Sequence, residues 1–309
     1  VISQGLGAGS SVPVNSAVDL VVSLGLDLSP KLIRTTVSAV SSAAWTTVNL
    51  GRTYNSPVII ATPIYPDRNR PPVVTRITNI TATGFDVKID RTDGRTEPVS
   101  VDVSIIAVDE GVYTQAEHGV TMEAVKYNST VTARKGSWVA ESRSYQNTYT
   151  NPIVVGQVMS ANDPNWSVFW SMGSSRTNPI NASNINVGKH VGEDSNTTRA
   201  DETIGYIVIE SGNGTIEGVA YEAGIGNDTV RGIKNSANPY NYSLSGNLSS
   251  ASAAAVSIGG MDGGDGGWAV LGGSPAFSAT SIGTWVDEDT LRDTERNHTT
   301  EQVGYLILE

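Results

Sequence analysis

The residues with most chemistry to offer lie near the end of the sequence. Asp287, Glu288 and Asp289 are followed by Asp293 and Glu295, then by Arg296, His298 and Glu301. Carboxylate oxygens are hard ligands, so Asp287, Asp289 and Asp293 are the calcium candidates. Their spacing matches no EF-hand and no glycine-rich calcium repeat. A solvated loop whose charges blunt a sheet edge is the preferred account. Asp262-Gly-Gly-Asp265-Gly-Gly sets two carboxylates on flexible backbone and reads as a plain turn. No other cofactor is expected.

Arg296, His298 and Glu301 have the residue types of an acid–base group. A working site also needs a pocket and a third, orienting group. Upstream, a similar tract carries Thr197, Arg199 and Glu202 without the histidine. A loop repeated without its would-be catalyst points to architecture, here a salt-bridged loop at a strand entrance. No motif supports a reaction, and the chain is read as a non-enzyme. Trp138, Trp166, Trp170, Trp268 and Trp285 have the chemistry of sugar-stacking platforms. In a sandwich they are more often core or seam residues. Trp166 and Trp170 lie near the glycosylation motif at Asn165, which predicts that at least one is partly exposed.

Asn-x-Ser/Thr motifs occur at Asn79, Asn128, Asn165, Asn181, Asn196, Asn213, Asn227, Asn241, Asn247 and Asn297. These are the N-glycosylation candidates, and they point to a glycoprotein outside the cell. Composition agrees. The 309 residues include no cysteine, which excludes disulfides, thiol nucleophiles and zinc–thiolate sites. The net charge is −11, and no Lys/Arg cluster is present, so nucleic acid is not an expected partner. No apolar run approaches the ~18 residues that span a bilayer. The sequence opens on Val1 rather than Met, from which a cleaved signal peptide and an extracellular or cell-surface location are expected.

Such residues must be positioned by strands. Gly, Ser, Thr and Asn punctuate short Val/Ile runs, so the fold class is all-β. The best helix candidate, 30–42, is opposed by Thr35, Thr36 and Val37. Three segments end alike: Val103-Ser-Ile-Ile-Ala-Val-Asp109, Ile204-Gly-Tyr-Ile-Val-Ile-Glu210 and Val303-Gly-Tyr-Leu-Ile-Leu-Glu309. Other blocks recur in the same order. Asn55-Ser-Pro-Val-Ile-Ile60 matches Thr150-Asn-Pro-Ile-Val-Val155, and Trp166-Ser-Val-Phe169 matches Trp268-Ala-Val-Leu271. Collinear blocks of this kind predict tandem antiparallel sandwich modules at 29–113, 114–212 and 213–309, after an extension over 1–28. In the first module Trp45–Leu50 and Gly84–Ile89 alternate, while Val58–Pro63 and Val101–Val108 are continuous apolar runs.

The first module resembles the H-type lectin domain. The matching features are Trp45, Tyr54 with Pro57-Val58, the block Arg76-Ile-Thr-Asn-Ile-Thr-Ala-Thr-Gly-Phe85, and a last strand with Val103, Ile105 and Ala107. The later copies resemble modules repeated in large secreted proteins of marine microbes. The lectin resemblance implies a six-stranded antiparallel sandwich that forms trimers and binds N-acetylgalactosamine near the subunit seam. The family carries a Trp before its last alanine. Here Ile106 stands there, and the sugar ligands cannot be placed on this chain.

The leader runs from a Gly/Ser-rich stretch into Ala17-Val-Asp-Leu-Val-Val-Ser-Leu-Gly-Leu-Asp-Leu28. This apolar segment lies outside the repeat. Val21, Val22, Leu24, Leu26 and Leu28 are the candidate polymerisation strand. It would pair with its own module or with the sheet of a neighbouring copy. The chain stops at Glu309, on the last strand. An extension at one end and a bare module at the other predict three stacked modules that polymerise head-to-tail into a filament, sheath or surface layer. The alternative is a secreted lectin or adhesin whose partners are surface glycans.

Overall fold

The computed structural model describes residues 3–4, 10–14, 20–21 and 27–309. It is almost entirely β, with one short helix among those residues, α1 (Gln115–His118). Thr114 caps that helix by accepting from the Glu117 amide, and Gly119 closes it at φ 71°. The 30–42 stretch is a strand and not a helix. Its β-branched residues prefer extended backbone, and a sheet is there to pair with.

In the leader, β1 (Ser3–Gln4) pairs antiparallel with β2 (Leu20–Val21). Six strands follow: β3 (Ile33–Ser41), β4 (Thr46–Asn49), β5 (Pro57–Tyr65), β6 (Val73–Thr78), β7 (Gly84–Arg91) and β8 (Ser100–Asp109). They form two antiparallel sheets, ordered β3-β8-β5 and β4-β7-β6. Next come β9 (Gly111–Tyr113), β10 (Met122–Ser129), β11 (Thr132–Ala133), β12 (Glu141–Arg143), β13 (Pro152–Val158), β14 (Val168–Met172), β15 (Ile185–His190) and β16 (Glu202–Glu210). Here β10-β16-β13 and β12-β15-β14 repeat the two orders. The last run is β17 (Gly212–Ile216), β18 (Val219–Ile225), β19 (Tyr240–Ser243), β20 (Ala253–Ile258), β21 (Trp268–Gly272), β22 (Ser281–Asp287) and β23 (Val303–Leu308). It gives β18-β23-β20 and β19-β22-β21.

The sandwiches are not stacked in a line, as the repeat alone suggests. The strands β5, β13 and β20 all meet at the centre. Each also packs on a neighbour's closing strand in one rotational sense: β5 on β16, β13 on β23 and β20 on β8. The result is a closed ring about a pseudo-threefold axis. At one seam β21 pairs in parallel with β5, joining Leu271 to Ile64 and Gly272 to Tyr65.

The ring explains which strands alternate and which do not. Phe85, Val87 and Ile89 are buried, with half-buried polar residues between them, because β7 has one wet face. By contrast, β20 and β23 are buried along their whole length, and β5 nearly so. One face of these strands lies in their own sandwich and the other against a neighbour, so the sequence reads as a continuous apolar run. In one copy of the repeated Gly-Tyr pair the glycine is set by crowding at such a seam, whereas at Gly304 the nearest atom to an added Cβ would be the Val154 carbonyl at 3.5 Å, an ordinary contact. An added Cβ at Gly205 would lie 1.9 Å from Met159 Sδ and 3.3 Å from Val58 Cγ1 of the first sandwich. At the matching position Ser104 turns its hydroxyl into the seam instead, where Oγ accepts from the Ala254 amide at 2.9 Å.

The repeated acids brace turns. Asp109 accepts from the amides of Asn55 (2.9 Å) and Ser56 (2.6 Å), just before Pro57. Glu210 does the same for Thr150 (2.8 Å) and Asn151 (2.7 Å), before Pro152. Glu202 holds the Asn162 and Asp163 amides, and Glu301 those of Asp262 and Gly263.

Candidate functional site

The acidic stretch at the end of β22 is a buried junction between sandwiches. Arg296 grips the Asp287 carboxylate with both Nε (2.7 Å) and Nη2 (2.8 Å). Tyr65 of the first sandwich donates its hydroxyl to Asp287 Oδ2 at 2.8 Å, and Arg296 Nη1 donates to the Arg70 carbonyl at 2.7 Å. Burial, then the Asp287 charge, pushes the Tyr65 phenol well above its ordinary range. Next to this pair, His298 sits between two carboxylates. Its Nδ1 meets Glu288 Oε1, and its Nε2 lies 2.7 Å from Glu301 Oε1. Asp289 turns the other way and accepts from the Glu193 amide of the second sandwich at 2.9 Å.

The calcium candidates are therefore not brought together. Asp287 faces Arg296, Asp289 faces the Glu193 amide, and Asp293 is exposed and accepts from the Glu295 amide. Among the described residues no group of three or more His, Asp and Glu is placed to hold a metal ion. Asp262 and Asp265 lie in a loop; Asp265 pairs with Lys135 of the second sandwich.

The junction has a definite pH response. Burial alone would lower the His298 pKa, but its bonds to Glu288 and Glu301 outweigh that and raise it to about 9. Burial raises Glu288 to about 7, opposed by His298. Both groups hold a proton more tightly in the folded chain than in the unfolded one. Their stabilising effect is complete below the ordinary carboxylate pKa of 4.5. It falls as pH rises, through 7 for Glu288 and then through 9 for His298. Thermal melts from pH 6 to 10 should show a falling midpoint, and His298→Gln should flatten the slope between 6.5 and 9. A slope unchanged in that variant would place the titration elsewhere.

The tryptophans are seam and core residues. Trp166, Trp170, Trp268 and Trp285 are buried, so the expected exposure beside Asn165 is not found at Trp166 or Trp170; Trp138 is half-buried. The exposed tryptophan is Trp45, with the Lys88 ammonium 5.1 Å from its ring centre. Sequence reasoning also missed Lys189, which is fully buried and donates to the carbonyls of Ser129 and Val131, both at 3.0 Å. Burial lowers its pKa. The signal was present, because Lys189 falls in alternation with Ile185 and Val187 on the inner face of β15.

All ten candidate glycosylation asparagines are exposed. Asn79, at φ 51°, donates its amide to Asp86 at 2.7 Å. Clefts run along the seams. One of about 680 Å³ between the first and second sandwiches is lined by Asn55, Asn79, Lys126, Tyr127, Asn128 and Asn162, among others. Another, also about 680 Å³, lies between the second and third, with Arg134, Lys135, Glu193 and Arg292 on its walls.

Of the candidate polymerisation strand, Val21 pairs with Ser3, and Leu28 is exposed. Val22, Leu24 and Leu26 lie outside the described residues. Val12 and Val14, further back in the leader, are exposed as well.

Among the described residues no helix is long and apolar enough to cross a membrane. No family model and no solved structure matches the chain. In an alignment 204 residues long that covers 61% of the chain, it is 26% identical to halomucin of Haloquadratum walsbyi. It covers 2% of that protein, so the similarity is to one small part of a far longer chain.

Proposed function

We propose that this chain is a structural part of a secreted surface protein and that it assembles with copies of itself through its leader. The observation that carries the reading is apolar exposure in the leader. Val14 is 92% exposed and Leu28 65%, and with Val12 they make three of the eight large apolar side chains exposed among the described residues. Burying such a side chain against a partner returns roughly 1.5–3 kcal/mol. Leu20, Val22, Leu24, Leu26 and Leu28 also alternate with Val21, Ser23, Gly25 and Asp27. That pattern puts one apolar face on an extended strand, the form that adds to a sheet edge. The exposed glycosylation motifs and the similarity to part of halomucin support a place outside the cell.

Removing residues 1–28 tests the reading. The buried core of the described residues begins at Leu32, so the ring should stay folded. The full chain should form fibres or sheets by electron microscopy, and the shortened chain should sediment as monomer. Equal polymerisation by both chains rules out the leader as the connector.

A second reading, a lectin or adhesin, is favoured by one observation. Three sandwiches about a common axis, with polar clefts at their seams, support it, because the H-type resemblance implies a trimer that binds sugar near the seam. Saccharide-competable binding on a glycan array, without polymers, supports this reading over the first.

A further inference from the structure

We infer that the open edge of β3 accepts the leader of a second copy, with residues 22–28 of one chain pairing antiparallel with Ile33–Val37 of the next. This deepens the proposed function and rests on it.

The ring supplies its own comparison. The strand opening the second sandwich, β10, carries β9 on its outer edge, with Met122 opposite Tyr113 and Ala124 opposite Gly111. The strand opening the third, β18, carries β17 over five residue pairs, Gly212–Ala223 to Ile216–Val219. The strand opening the first is β3, and among the described residues only β8 pairs with it. Among the described residues the same edge is thus covered twice by an antiparallel strand and left open once. An open edge presents a row of free N–H and C=O groups.

The edge suits such a guest. Arg34 is the one charged residue of β3, and its guanidinium is turned onto the Glu309 carbonyl. Ile33 and Val37 are half-buried and pack against the core, so a strand with an apolar face would complete their burial. Beyond Val37 a bulge, with Ala39 at φ 54°, shifts the register and ends the regular edge. Ile33–Val37 offers five residues, as many as β17 covers on β18. Seven extended leader residues reach ~23 Å, enough to cover them.

The described residues just before β3 lead away from this edge. The Pro30 carbonyl accepts from the Asp109 amide at 2.6 Å, at the end of β8. Lys31 Nζ lies 3.1 Å from Asp109 Oδ2, and the Asp27 carbonyl accepts from Asn55 Nδ2 at 3.2 Å, at the head of β5. Residues 27–31 therefore cross the end of β8 toward β5. In the order β3-β8-β5 that is the side opposite the open edge. The occupant argued for is accordingly the leader of another copy.

Hydrogen exchange on the full-length protein tests this. In polymers, the Ile33–Val37 amides that point away from β8 should exchange at least tenfold more slowly than in monomer, while amides of the covered β10 and β18 stay unchanged. The absence of native cysteine gives a second readout. A Thr36→Cys chain mixed with a Ser23→Cys or Gly25→Cys chain should form a disulfide dimer that neither chain forms alone. Polymers that assemble with β3 exchange unchanged and no cross-link overturn the acceptor edge and leave leader-driven assembly standing. Polymers that survive removal of residues 1–28 overturn that assembly itself.

Discussion

Asp287→Ala should cost about 3–5 kcal/mol of folding stability, the usual loss when one partner of a buried ion pair is removed. The Asp287 side chain is fully buried and that of Arg296 is 7% exposed. Removing the carboxylate strips Arg296 of both bonds from Nε and Nη2 and leaves Tyr65 without its acceptor at Oδ2. Only the Arg70 carbonyl would still face the guanidinium. The charge cannot escape by deprotonation, since arginine stays protonated at any pH the fold survives. The double variant Asp287→Ala/Arg296→Met should recover much of the loss, because the uncompensated charge is gone. Urea denaturation measures both. A loss under ~1 kcal/mol in the single variant would mean that the guanidinium reaches water, contrary to its placement here.

Trp268→Ala should be comparably severe, about 3–5 kcal/mol, as for large aromatic truncations in cores. Trp268 belongs to β21 of the third sandwich and is 4% exposed. Its indole N–H donates to the Val73 carbonyl of the first sandwich at 3.1 Å. Its ring centre lies 5.8 Å from that of Trp166 in the second. One side chain thus touches all three sandwiches. Trp268→Phe keeps most of the apolar area and loses the hydrogen bond, so its loss should be nearer ~1 kcal/mol, plus a small cavity. The shape of the transition is also informative. With a shared core, Trp268→Ala should move one cooperative transition as a whole. A melt in which only part of the signal shifts would show sandwiches that fold separately.

Much of the strand layout was legible. The alternation of Gly84–Ile89 became β7, and the run Val58–Pro63 lies within β5. The all-β class followed from turn residues and β-branched runs, and it holds. The arrangement of the sandwiches was not legible, for a physical reason. A continuous apolar run says that both faces of a strand are covered, but not by what. In β5 and β20 the second cover is another sandwich, and nothing local to either strand encodes that. Gly205 was visible as part of a repeated Gly-Tyr pair, but the crowding that excludes a side chain there needs Val58 and Met159 at the seam. Charge misleads in a similar way. Asp287, Asp289 and Asp293 look like one ligand set in sequence, yet Arg296 and the Glu193 amide draw the first two to different neighbours. For 30–42 the propensities of Thr35, Thr36 and Val37 were the better guide, because an edge of the β3-β8-β5 sheet was there to be filled.

The small cavity of about 40 Å³ at the axis shows what covalent linkage permits. Thr62, Gln157 and Ser257 occupy corresponding positions on β5, β13 and β20 and line it together. Gln157 exchanges hydrogen bonds with Thr75, accepting from its hydroxyl at 3.0 Å and donating to its carbonyl at 3.1 Å. A homotrimer must repeat every residue three times round its axis, so three glutamines would compete for that space. A single polypeptide is free of that constraint and can set a long amide beside two short hydroxyls. The broken symmetry fixes which sandwich sits next to which, and a module cut from this chain would lack the unlike neighbours that its inner strand was shaped to meet.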